Sequence, residues 1–100
     1  MPAACRKGDS LTTGHICDST TTLTTPAQST VYINGILAAR KTDSTVAHGF
    51  PPEPPCNPHV ASVNAGSSTV FIVGKEAARI GDSADFGAMT SGSSDVYIGG

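Results

Sequence analysis

The chain has 100 residues, a formal charge of −2 and only six Lys and Arg, so it lacks the concentrated basic face that nucleic-acid binding requires. It holds no apolar run near the roughly 20 residues of a membrane span. Its start, Met-Pro-Ala-Ala-Cys-Arg-Lys-Gly-Asp, has no apolar stretch of the signal-peptide kind, which implies synthesis in the cytoplasm. The length implies one domain, 1–100, with a small core that needs help from a metal, a disulfide or a partner. Eleven Gly, seven Pro and no Trp, with Val, Ile and Thr between the Gly and Pro, predict strands and turns rather than helices.

In chain order, residues 1–10 end on a charged turn, Arg6-Lys7-Gly8-Asp9. Leu11 to Gln28 is Thr-rich, carries Gly14-His15-Ile16-Cys17 and reads as an irregular excursion. Val31-Tyr32-Ile33 reads as a strand with Val31 and Ile33 on one face and Tyr32 on the other. Asn34-Gly35 is a strong hairpin signal, and Ile36 to Arg40 is the predicted returning strand. Ala47 to Asn64 holds five of the seven prolines (Pro51, Pro52, Pro54, Pro55 and Pro58), which predicts a stiff loop. Val70-Phe71-Ile72 with Val73-Gly74 repeats the first hairpin. The connector Ala84 to Ser93 is the shortest and has no His or Cys, and Val96-Tyr97-Ile98-Gly99 follows it.

These pieces are copies of one unit. Residues 29–44 and 68–83 are identical at ten of sixteen positions, and half-units begin and end the chain. Counted from each Arg, there are three copies: Arg6 to Gly35, Arg40 to Gly74 and Arg79 to Gly100. A repeat of this kind decides the architecture before any local assignment. The pairs Ala38-Ala39 and Ala77-Ala78, with Cys5 in register, predict small side chains where three strands approach one axis. Arg6/Asp9, Arg40/Asp43 and Arg79/Asp82 read as turn-stabilising or inter-repeat ion pairs.

All three histidines, His15, His48 and His59, lie in the first two connectors, with Cys17 and Cys56 beside them. Three Cys is an odd number, and reduced cytosolic thiols favour ligation or burial over a disulfide. Imidazole and thiolate together suit Zn²⁺. Cys56-x-x-His59 can meet one ion across a single turn, while His15 and His48 fall nine and eight residues after Arg6 and Arg40. Cys17 competes as a ligand, and surface histidines beside a buried Cys are the alternative. A catalytic zinc would need an open position and a base, for which Glu53 is the nearby carboxylate on that loop.

Ala-Ala-Arg followed by Gly-Asp-Ser, preceded by Ser-Thr-Val-Phe-Ile-x-Gly, resembles the PAAR-repeat proteins over essentially the whole chain. Leu37 and Glu76 stand where the family name has proline; Pro2 alone keeps it. The resemblance implies an all-β cone of short hairpins with pseudo-threefold repeats and a metal at its apex, Zn²⁺ or alternatively Fe²⁺. By position it carries the ligands onto His15, His48, Cys56 and His59. It implies a non-enzymatic monomer whose base, near Val31, Ile33, Val70, Ile72, Val96 and Ile98, binds a trimeric β-helical spike, one chain per trimer. The spike belongs to a type VI secretion system or a contractile phage tail, and its tip is sharpened to puncture a target membrane. A free-standing zinc-stabilised binding module and a small zinc hydrolase are the rival readings.

Overall fold

The computed structural model describes residues 1–50 and 56–99, so Glu53 and the prolines Pro51, Pro52, Pro54 and Pro55 lie outside the described residues. The strands are β1 (Ser10–Thr12), β2 (Thr20–Thr22), β3 (Tyr32–Ile33), β4 (Ile36–Leu37) and β5 (His48–Phe50). They continue with β6 (Asn57–His59), β7 (Phe71–Ile72), β8 (Lys75–Glu76), β9 (Ser83–Ala84) and β10 (Gly87–Ala88). No helix occurs among the described residues, and the architecture is all-β, built from short antiparallel hairpins.

The repeated Val-aromatic-Ile segments make one set of hairpins. β3 pairs β4 through Asn34 and Gly35, at φ +55° and +75°. β7 pairs β8 through Val73 and Gly74, at φ +48° and +79°. The third copy is closed differently. Ala3 bridges Tyr97 as Leu37 pairs with Tyr32 and Glu76 with Phe71, so the first residues supply its returning strand. The polar residue three before each Val holds its entry: Gln28 Oε1, Ser67 Oγ and Ser93 Oγ accept the N–H groups of Val31, Val70 and Val96 at 2.8, 2.9 and 2.9 Å.

The connectors form the second set. Leu11 to Gln28 is irregular only in part. β1 and β2 pair across it, with Leu11 opposite Thr21, because β-branched Thr suits a half-buried strand even without apolar alternation. β5 pairs β6, β9 pairs β10, and bridges Leu23–Thr45, Val63–Ala84 and Leu11–Met89 join the three connectors in a ring.

Between the two sets the chain crosses itself at one point. Cys5 N–H donates to the Ala78 carbonyl at 2.9 Å, Ala78 N–H to Ala39 at 3.1 Å, and Ala39 N–H back to Cys5 at 3.0 Å. This closed triangle of backbone hydrogen bonds is why the three positions are Cys, Ala and Ala: each is fully buried, and a larger side chain has no space at the axis. On one side Ala4, Ala38 and Ala77 pack with Ile33, Ile72 and Ile98. On the other, Cys5, Ala39 and Ala78 pack with Leu11, Leu23, Val63, Ala84 and Met89. The molecule is elongated, 40 × 24 × 22 Å.

Candidate metal centre

The three connector hairpins bring four side chains together. His15 lies in the loop after β1. His48 and His59 face each other as a cross-strand pair on β5 and β6. Asp85 stands at the turn between β9 and β10, at φ +54°, a conformation that Asp tolerates. The approach of the first and third hairpins depends on glycine. A Cβ at Gly14 would collide with the Phe86 carbonyl, and one at Gly87 with the Thr12 carbonyl.

The donor atoms of His15, His48, His59 and Asp85 all lie within 4.8 Å of one another. His15 Nε2 and His48 Nε2 each approach Asp85 Oδ2 at 2.8 Å, and His59 Nε2 approaches Oδ1 at 3.3 Å. The side chains of His15, His48 and Asp85 are 6, 3 and 2% exposed, and that of His59 is 24% exposed. Phe50 packs on the His15 and His59 rings at centroid distances of 4.7 and 4.4 Å, covering the group with apolar surface.

The far sides of two rings decide what the centre needs. His15 Nδ1 lies 3.0 Å from the Ile16 carbonyl and His48 Nδ1 lies 2.8 Å from the Val46 carbonyl. A carbonyl only accepts, so each Nδ1 carries the proton. In a neutral ring Nε2 then turns its lone pair toward the carboxylate, and two acceptors at 2.8 Å repel. Either buried imidazolium ions surround Asp85, or a cation stands among the four donors. The donor set fits a cation: ligating histidines are held in this way by backbone carbonyls on the opposite nitrogen. In the metal-free protein, burial disfavours the His15 imidazolium, but the Ile16 carbonyl and the Asp85 carboxylate outweigh it and raise its pKa above the ordinary 6.5. Burial likewise opposes the Asp85 carboxylate. Hydrogen bonds from His48, His15 and His59 prevail and lower its pKa below the ordinary 3.8.

The family model described as PAAR motif matches residues 12–90, the span that contains all four donors. The chain belongs to the PAAR-motif family. A comparison with curated proteins finds no match. PAAR membership supports a spike-tip role in secretion or phage systems in general, and the His15, His48, His59 and Asp85 group could hold a metal ion.

Two expectations for this PAAR chain need correction. Cys56 does not join the three histidines, and neither does Cys17: the two form a disulfide, their Cα atoms 6.0 Å apart across 39 residues of sequence. A sulfur in a disulfide has no thiolate to offer a metal. Asp85 occupies the fourth position, and it is the one ionisable side chain in the connector Ala84 to Ser93, which threefold equivalence with the His15 and His48 loops could have singled out. Cys5 is buried and free, in register with Ala39 and Ala78.

The residues assigned to the base divide by pleat. Ile33, Ile72 and Ile98 are only 9, 7 and 7% exposed and belong to the core, while Val31 and Val96 pack against it. Val70 is open to solvent, and so are the aromatics on the outer face, Tyr32, Phe71 and Tyr97, at 57, 58 and 52% exposed. Period-2 sidedness turns the isoleucines toward the three alanines and leaves the aromatics facing out.

Proposed function

We propose that this PAAR chain is a metal-stabilised tip that caps a trimeric β-helical spike, one chain per trimer, and sharpens it for passage through a target membrane. The observation that carries the reading is the closed triangle of hydrogen bonds among Cys5, Ala39 and Ala78, the residues just before Arg6, Arg40 and Arg79 where the three copies begin. A single chain with that pseudo-symmetry presents three similar faces to a threefold partner. The partner is a spike of the valine-glycine-repeat type in a secretion system or the central spike of a contractile phage tail. Val31, Val70 and Val96, with the outward Tyr32, Phe71 and Tyr97, form the docking end, and spike strands add to the hairpin edges there.

At the other end the cofactor is Zn²⁺, with Fe²⁺ the alternative, held by His15, His48, His59 and Asp85; imidazole and carboxylate suit either ion. Its role is structural. It joins the His15 loop, the β5–β6 hairpin and the β9–β10 turn, and no catalytic group is assigned. The chain is made in the cytoplasm, acts as a monomer when free, and reaches the outside or a target cell on the spike.

Mass measurement of the complex with the cognate spike tests this reading. One PAAR chain per three spike chains is the expected ratio. A 1:1 chain ratio, or a self-assembled trimer of this protein, contradicts it.

A further inference from the structure

Resting on the metal reading above, the position of the disulfide carries a second conclusion. Cys17 follows His15 by two residues and Cys56 precedes His59 by three. Beside His48, Gly49 lies against the bridge so closely that a Cβ there would stand 3.0 Å from the Cys56 Cβ and 3.2 Å from that of Cys17. The bridge therefore abuts the segments of all three histidines. We propose that the Cys17–Cys56 pair is a redox clamp on the metal centre. As a dithiol it lets the His15 loop part from the β5–β6 hairpin so that metal exchanges, and as a disulfide it traps the metal.

Hydrogen bonds inside the His15 loop do not perform this task. Thr13 Oγ1 donates to the Asp18 carbonyl at 2.6 Å, and Phe86 N–H donates to the Thr13 carbonyl at 2.9 Å. These bonds tie the loop to itself and to β9–β10. Gly49 N–H to Asp18 Oδ2, at 2.6 Å, accompanies the bridge on the β5 side but lies at an exposed position where water competes. Backbone bonds join the two connectors ahead of β5, Val46 N–H to the Thr22 carbonyl at 2.9 Å among them. The covalent link, however, is the tie closest in sequence to both His15 and His59. Cys56 is exposed, so a reductant can reach it, and accessible disulfides are the ones that cells use as switches. Closure consumes the two thiols and one small-molecule disulfide and yields the protein disulfide and two small thiols. The buried Cys5 thiol does not interfere. Burial, followed by the charges of Asp9 and Asp82, pushes its pKa up to about 12, so it contributes almost no thiolate.

The experiment loads purified protein with Zn²⁺, confirms the zinc content, and follows zinc release to a colorimetric chelator. The disulfide form, closed with oxidised glutathione, is compared with the form reduced by a phosphine and with the double variant Cys17→Ser/Cys56→Ser. Release from the disulfide form should be slower by about tenfold or more, the scale on which groups supporting metal ligands act. The double variant should release at the reduced rate in either redox state. Equal rates for the disulfide and reduced forms, with zinc bound, overturn the clamp and leave the metal centre standing. Slower release from reduced wild type than from the double variant also overturns it, by making a thiolate a ligand. Absence of zinc from both forms removes the metal centre, and the clamp with it.

Discussion

Asp85 is the residue on which the candidate metal centre turns, and with it the metal-free and metal-loaded proteins should respond to pH in opposite ways. In the metal-free protein the His15 pKa is raised and the Asp85 pKa lowered. The His15 contribution is therefore fully present below the ordinary value of 6.5 and lost as pH rises through the raised value. The Asp85 contribution is present above 3.8 and lost as pH falls through the lowered value. Both are present between 3.8 and 6.5, so metal-free protein should be more resistant to denaturant at pH 5.5 than at pH 8.5. Metal binding requires deprotonated imidazoles, so the loaded protein should show the reverse order. Denaturation midpoints of both forms at the two pH values check this, and a common order in both forms would contradict it. None of this was legible in the third connector alone, where a single Asp among Ser, Gly and Ala looks like turn chemistry.

At the scale of the hairpin, the two complete copies of the repeat differ at an informative place. Asn34 and Val73 hold the same left-handed conformation, φ +55° and +48°. Asn adopts it readily, whereas a β-branched side chain is strained there, by about 1–2 kcal/mol. Val73 is exposed, so its burial contributes little to offset the strain. Val73→Asn should stabilise the protein by about 1 kcal/mol in urea unfolding. No change or a loss would show that Val73 has a packing role in the free chain.

The Arg-x-x-Asp turns also look equivalent in sequence but are not so in space. Each Asp accepts the N–H of its Arg, at 2.7, 2.7 and 2.8 Å for Asp9, Asp43 and Asp82. Arg6 and Arg79 also donate from Nε to that carboxylate, whereas Arg40 is buried and its Nε lacks a partner. Asp43 is the carboxylate paired with Arg40 among the described residues, at 4.0 Å, and removing it leaves the buried charge uncompensated, so Asp43→Ala should cost about 3–5 kcal/mol. Asp9→Ala, where Arg6 reaches water, should cost about 1–2 kcal/mol. Denaturant unfolding of the two variants compares them, and equal costs would contradict the distinction. The repeat, the Asn-Gly turn and the period-2 strands were readable because each depends on neighbours in sequence. The β1–β2 hairpin was hidden because Thr occupies both of its faces and leaves no apolar alternation to see.

For the whole molecule, threefold closure within one chain arises from three small residues at one axis, with two hairpins and the Ala3–Tyr97 bridge on one side and three hairpins on the other. The small residues were legible as Cys5, Ala39 and Ala78 in register. The Cys17–Cys56 bridge was not, because it depends on two loops that meet only after the chain has wound past itself. The approach of His15 and His48 was expected from their equivalent loop positions, whereas His59 was reached only through its turn with Cys56, which the structure places in a disulfide instead. Their fourth partner was not expected, because an Asp at the place that threefold equivalence names is also ordinary turn chemistry.

X-ray absorption at the metal edge of purified, zinc-loaded protein tests the centre most directly. It should show a first shell of nitrogen and oxygen only, at about 2.0–2.2 Å, from three imidazoles and a carboxylate. A sulfur scatterer at about 2.3 Å would place a cysteine on the metal and contradict the assignment of Asp85.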